Sequence, residues 1–235
     1  MRKILTIISV FSVISLLPVN ANALEKSDFS VTAGIAANSA VYGASAKETN
    51  RNASNTIKST KRASGVFAES HQSGFIELNF GDYVSLGYEH TPDSITTPQN
   101  KRTDMENNNT TVSVNFNNLN TAYLKFSLPG IDGVYLKAGI VSTDLDVKES
   151  MASGSTYSNA STDGTLFGVG YNHSLGDSPI SIRIEGSYME LDDVTSSNGV
   201  SASGSTVANS GRNQIDASNL EGLNAKVALT FTLGK

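Results

Sequence analysis

Seven charged side chains lie on the polar face of segments that alternate polar and apolar residues, as β-strands do. Side chains of a strand point alternately to its two faces, so each of these charges lies opposite an apolar face. Four are cations and three are anions, a near balance that favours a hydrogen-bonded ion-pair network over isolated buried charges. The seven candidate residues are Glu77, Glu89, Lys125, Lys137, Arg183, Glu185 and Lys226.

A second pattern, His71-Gln72-Ser73, places an imidazole and a hydroxyl two residues apart. On a strand both side chains share one face, where a histidine could activate a serine nucleophile. Both have the parity of Glu77, however, and therefore lie on the polar face rather than the apolar one. A pair acting on membrane lipid would have to face the lipid. We therefore predict that the protein is not an enzyme.

Acidic residues form two groups that could attract hard cations such as Ca²⁺. The first contains Asp144, Asp146 and Glu149, and the second contains Glu190, Asp192 and Asp193. Neither spacing matches a defined metal loop, and the three histidines of the chain are dispersed. We expect a solvated acidic rim, with no metal site and no cofactor.

Eight segments alternate apolar and polar residues, and these are the elements that must position the charges. The clearest is Leu223–Leu233, in which every odd position is apolar. A further alternation at Val112, Val114 and Phe116 is interpreted as an outward extension of the fourth strand, and a separate strand turning at Asn117-Asn118 is the alternative. The other seven segments are 29–38, 75–80, 84–89, 121–128, 134–140, 167–172 and 180–188.

The connections between these segments alternate strictly between short and long. Three are tight turns, at Gly81-Asp82, 129–133 and 176–179, and they consist mainly of turn-forming residues. The other four, at roughly 44–70, 91–110, 146–163 and 192–219, are rich in Ser, Asn, Thr and Gly and are predicted as polar loops. Short turns on one side and long loops on the other are typical of a barrel that spans an outer membrane.

The direction of the apolar face decides between a soluble barrel and a membrane barrel. In the clearest strands this face persists for about the 9–11 residues that a tilted strand needs to cross a bilayer. The opposite face carries glycine, serine and full charges at mid-strand, which suits a narrow lumen filled by side chains. We therefore predict an all-β, eight-stranded, antiparallel up-and-down transmembrane β-barrel. Its interfacial girdles would include Phe80, Tyr88, Phe126, Tyr188 and Phe231.

The start of the chain predicts export. A positive Met1-Arg2-Lys3 precedes a mostly apolar run, and Ala21-Asn22-Ala23 offers small residues for cleavage. We expect residues 1–23 to be a signal peptide and residues 24–235 to be the barrel domain. The formal net charge is −5, and the chain has no tryptophan and no cysteine. These features argue against nucleic-acid binding and leave no disulfide for stability.

Several motifs resemble the small eight-stranded outer-membrane barrels of the OmpA-like, attachment-invasion and opacity-protein type. They include Leu86-Gly87-Tyr88-Glu89, Phe167-Gly168-Val169-Gly170-Tyr171 and Tyr135 through Gly139. The resemblance implies an outer-membrane location and a structural or adhesin-like surface role through four extracellular loops. A narrow porin-like channel for small solutes is the alternative.

The same resemblance implies the partners. They are outer-membrane lipid and lipopolysaccharide, the outer-membrane insertion machinery, and cell-surface partners contacted through the loops. Such barrels usually end on an aromatic residue that the insertion machinery reads, whereas here the last aromatic residue is Phe231, inside the final strand. We expect no periplasmic domain after the barrel.

Overall fold

The computed structural model describes residues 29–52, 54–103, 109–150, 157–198 and 213–234, so the predicted signal peptide lies outside the described residues. No helix in this part of the chain is long and apolar enough to cross a bilayer. The strands are β1 (Phe29–Arg51), β2 (Ile57–Phe80), β3 (Val84–Thr91), β4 (Ile95–Thr96), β5 (Asn100–Thr103), β6 (Asn109–Ser127), β7 (Val134–Ser150), β8 (Ala160–Ser174), β9 (Ile180–Leu191), β10 (Val194–Ser197) and β11 (Gln214–Leu233).

Eight of these strands form a closed antiparallel ring. The order around the ring is β1, β2, β3, β6, β7, β8, β9 and β11, and β11 pairs back to β1 from Val31↔Leu233 onwards. The short strands β4 and β5 pair with β6, and β10 pairs with β11. The predicted eight-stranded up-and-down architecture is confirmed.

The ring is apolar outside and polar inside. Ile35 is 70% exposed and Leu229 is 50% exposed, whereas Glu77 in the interior has no accessible surface. We call the exposed exterior the apolar belt, and its members include Val31, Ile35, Ile76, Leu86, Leu136, Ile140, Val169, Ile184, Val227 and Leu229. A contiguous apolar exterior of this kind is stable in hydrocarbon and not in water.

The three tight turns lie at one end of the ring, as predicted. Gly81 and Gly176 have φ values of 61° and 62°. This left-handed region costs glycine nothing and strains other residues, which explains why these residues allow the chain to reverse so sharply. In outer-membrane barrels the short turns face the periplasm, and this end of the molecule is therefore called the periplasmic end.

The four predicted long loops are wrong in their extent, because much of their sequence is strand. β1 continues to Arg51 and β2 begins at Ile57, so only a short turn remains of the loop predicted at 44–70. Likewise β7 reaches Ser150 and β11 begins at Gln214. The pattern of apolar residues outside and polar residues inside ends here, since Val141, Leu145 and Leu220 are buried, yet the backbones continue the ladder of their neighbours. By contrast, the predicted extension of the fourth strand is confirmed, because β6 runs from Asn109 to Ser127.

Candidate functional site

All seven predicted charged residues project into the lumen, where they form two groups. The first group, the Glu77 cluster, contains Glu77, Lys125 and Arg183. The guanidinium of Arg183 donates from both terminal nitrogens to the two oxygens of Glu77, at 2.7 and 2.9 Å. The ammonium of Lys125 donates to Glu77 Oε2 at 2.6 Å. One carboxylate from β2 thus holds cations from β6 and β9 across the barrel.

The second group, the Glu89 cluster, contains Glu89, Glu185, Lys137 and Lys226. Lys137 Nζ lies 2.9 Å from Glu89 Oε2 and 3.2 Å from Glu185 Oε1. Lys226 Nζ contacts the same two oxygens at 2.7 and 3.1 Å. The four side chains therefore form a closed square in which each charge touches two opposite charges. This square joins β3, β7, β9 and β11.

Lys125 and Lys137 are direct cross-strand neighbours, and like charges in that position repel each other. The repulsion is offset because the two ammonium groups bind different carboxylates. Lys125 bonds to Glu77, whereas Lys137 bonds to Glu89 and Glu185. The two neighbouring ammonium groups therefore belong to different ion-pair clusters.

Aromatic and hydroxyl side chains complete both clusters, and they were not among the predicted site residues. Tyr123 donates its phenolic proton to Glu77 at 3.0 Å, and Tyr135 donates to Glu185 at 2.8 Å. Lys137 Nζ also lies 4.0 Å from the centre of the Tyr123 ring, a cation–π distance. Both tyrosines have the parity of the lumenal lysines, so the alternation of β6 and β7 carried the signal that could have identified them.

Glycines on neighbouring strands make room for the lumenal rings. Gly34 pairs with Phe75, Gly87 pairs with Tyr123, and Gly170 pairs with Tyr135. At each glycine an added Cβ would overlap the partner's ring. Gly168 faces Ser187 and Lys137 instead, at ordinary or slightly short distances.

The His71 and Ser73 side chains lie on the lumenal side, and Ser73 is bonded into the network. Ser73 Oγ donates to Glu89 Oε1 at 2.7 Å and accepts a bond from Asn38 at 2.9 Å. Ser73 therefore serves as a ligand of the Glu89 carboxylate in this arrangement, and not as a partner of His71.

The acidic groups near the long connections are dispersed. Asp144 accepts a hydrogen bond from Asn118, and Asp146 lies 3.6 Å from Lys148. Among the residues that the structure describes, no three His, Asp or Glu side chains converge as a metal site would require.

The lumen differs on the two sides of the charged clusters. Towards the periplasmic end lies a cavity of about 670 Å³, lined mainly by polar side chains. Towards the other end the interior is apolar, with Val141, Leu191 and Leu220 buried against one another. A small pocket of about 40 Å³ remains between this group and residues such as Tyr42, Phe67 and Ile95. The charged clusters thus separate a polar compartment from an apolar one.

Comparison with solved structures supports the architecture. The outer-membrane protein OprG of Pseudomonas aeruginosa matches with a TM-score of 0.52 at 11% identity, over 83% of this chain and 95% of that chain. The fold is that of a small outer-membrane β-barrel. Together with the apolar belt, this fold assigns the protein to the outer membrane.

Two further barrels match with lower TM-scores. The attachment-invasion protein Ail of Yersinia pestis gives 0.37 at 11% identity, over 85% of this chain and 99% of that chain. The outer-membrane protein AlkL gives 0.45 at 8% identity, over 92% of this chain and 94% of that chain. No protein-family model matches the sequence, and no curated protein matches it significantly.

Proposed function

We propose that this protein is a closed outer-membrane scaffold that presents an extended extracellular sheet for contact with other molecules. The observation that carries the proposal is that the middle of the strands fills the lumen, whereas their outer parts form a sheet beyond the membrane. Two ion-pair clusters fill the middle of the lumen, whereas β1, β2 and β11 continue well past the apolar belt. In β1 the last exposed large apolar residue is Val41, and the strand continues to Arg51.

The β1–β2 hairpin is the most distinctive part of this sheet, because it is basic in an acidic protein. Between residues 44 and 70 the chain has five cations (Lys47, Arg51, Lys58, Lys61 and Arg62) but only two carboxylates (Glu48 and Glu69). Lys47 lies opposite Arg62 on β2 and opposite Asp216 on β11, so the hairpin keeps an excess of positive charge. The hairpin therefore suits contact with anionic cell-surface polysaccharides.

A register-preserving deletion tests this role. Replacing residues 46–63 by a two-residue Asn-Gly turn excises the outer part of the hairpin and keeps Ser45 opposite Ser64 as in the intact protein. Cells displaying the shortened barrel should adhere less to a surface coated with an anionic polysaccharide, while heat-modifiable gel migration still shows a folded barrel. Triple substitution of Lys58, Lys61 and Arg62 by Gln, in an otherwise intact hairpin, should reproduce the loss. Unchanged adhesion in both variants would leave only a structural role.

A narrow channel is the second candidate, and the apolar outer half of the lumen specifies its substrates. Buried Val141, Leu191 and Leu220 would exclude ions and sugars but would accommodate a small apolar solute. The wall beside them is also incomplete, because within the described residues β2 pairs with β3 only from Gly74 to Phe80. Liposome swelling with a sugar should then be absent, whereas uptake of a small apolar solute should exceed that of protein-free vesicles and fall in Leu220→Arg. Equal uptake with and without protein would reject the channel.

A further inference from the structure

The cavity at the periplasmic end is polar, and its charged inner wall is cationic. Hydroxyl and amide side chains line most of the cavity, including Thr32, Asn79, Ser85, Ser127, Thr230 and Thr232. Lys125 and Arg183 line its inner end, and the carboxylates in its lining, Asp82 and Asp132, belong to turns at the mouth. A solute entering from the periplasm would therefore meet a pair of cations at the far end.

The charge of the lumen is unevenly divided between the two clusters. In the Glu89 cluster, two lysines face two carboxylates. In the Glu77 cluster, Lys125 and Arg183 share the single carboxylate of Glu77. The unbalanced positive charge therefore lies beside the cavity. A charge held away from bulk water is costly unless an opposite charge accompanies it.

One donor at this wall has no acceptor. Arg183 is 4% exposed, and both of its terminal nitrogens are used by Glu77, but its Nε–H has no hydrogen-bond partner. Asn172, the cross-strand neighbour of Arg183, lines the same cavity, and its Oδ1 is also unpartnered. Buried donors without acceptors are rare in native proteins, and both of these atoms lie beneath the accessible surface of the cavity wall.

We propose that the periplasmic cavity is a binding site for one small oxyanion of the phosphate or carboxylate class. The anion accepts hydrogen bonds from the ammonium of Lys125, which has donors to spare beyond its bond to Glu77, and it is attracted by the adjacent guanidinium charge of Arg183. Its charge neutralises the Glu77 cluster, and its remaining oxygens are solvated by the surrounding hydroxyl groups.

Titration of the mature protein with inorganic phosphate, in zwitterionic detergent at low ionic strength, tests the site. Isothermal calorimetry should detect one bound phosphate per chain. Lys125→Gln removes a cation from the cavity wall but keeps the Arg183–Glu77 pair, so phosphate should bind at least about tenfold more weakly. Lys148→Gln is the matched control, because it makes the same charge change on a largely exposed side chain and should bind phosphate like the wild type.

Glu77→Gln should change the phosphate affinity in the opposite direction, because it keeps both cations but removes the carboxylate that neutralises them. Phosphate should then bind more tightly than to the wild type. Vesicles containing phosphatidylglycerol form a separate arm that distinguishes a free anion from a lipid headgroup. Absence of phosphate binding, equal affinity in Lys125→Gln and Lys148→Gln, or a response to the vesicles alone would overturn the proposal.

Discussion

At the scale of single residues, the Glu77 carboxylate is tightly constrained by its neighbours. It has no accessible surface and accepts hydrogen bonds from Lys125, Tyr123 and both terminal nitrogens of Arg183. An acid so placed keeps its charge only because cations surround it, and the cations in turn depend on that charge. Substitution of any residue of the Glu77 cluster should therefore destabilise the remaining buried charges.

Glu77→Gln should lower the free energy of unfolding by about 3–5 kcal/mol, because it strands two cations inside the barrel. Reversible urea unfolding in lipid vesicles measures this loss. Glu48→Gln is the control, since Glu48 forms a longer, partly exposed ion pair of 3.7 Å with Lys61. That change should cost no more than about 1 kcal/mol. Equal losses in the two variants would mean that the lumenal pairing contributes nothing special.

Gly87→Ala should also destabilise the barrel, because the new Cβ would overlap the Tyr123 ring that bonds to Glu77. Overpacking of this kind costs about 1–3 kcal/mol. Gly186→Ala is the matched control, since Gly186 is exposed and nothing lies within 4 Å of its added Cβ. The same urea experiment compares the two. If both substitutions are neutral, the glycine is not required by the ring.

The sequence identified the charged lumenal residues by parity alone, since a two-residue period assigns each side chain to a face. It could not predict which cation would contact which carboxylate. That choice depends on distances across the barrel, such as the one between Glu77 and Arg183, which lie 106 positions apart in the chain. Parity also assigns Tyr123 and Tyr135 to the lumenal face, but it does not indicate that they donate hydrogen bonds to Glu77 and Glu185.

At the scale of the strands, the alternation located each strand but not its outer end. Leu223–Leu233 is apolar at every odd position, yet β11 begins earlier, at Gln214. The alternation of apolar residues outside with polar residues inside ends with the apolar belt. Beyond it the interior face carries buried apolar side chains such as Leu220, so the extension of β11 follows from its hydrogen bonds to β1 and β10 rather than from that pattern.

The outer part of β2 should show a distinctive pattern of amide hydrogen exchange. In the described structure Ile57–Ser73 pairs with β1 on one side only. Amides that donate to β1 should be protected, and the alternating amides that face the open edge should exchange much faster. Exchange followed by NMR in bicelles resolves the two sets. Uniform protection would mean that another chain covers the edge.

At the scale of the whole molecule, the apolar exterior and polar interior imply that consecutive residues of one strand have different surroundings. Ala228 is 3% exposed and faces the lumen, whereas Leu229 is 50% exposed on the apolar belt. Spin labels at Ala228→Cys and Leu229→Cys should therefore report different surroundings. Leu229→Cys should be accessible to oxygen dissolved in the acyl chains, and Ala228→Cys should not. The reverse result would contradict a membrane barrel.

The pairing of β1 with β11 joins the two extremes of the described chain. Consequently the barrel cannot close until β11 has paired with β1, and a chain that lacks β11 leaves the β-sheet open. Lys226 belongs to that final strand and bonds to Glu89 and Glu185. Pairing of β11 with β1 therefore closes the barrel and brings Lys226 to the two carboxylates in the same step. We expect barrel closure in the bilayer to be late and cooperative, and to fail when β11 is truncated.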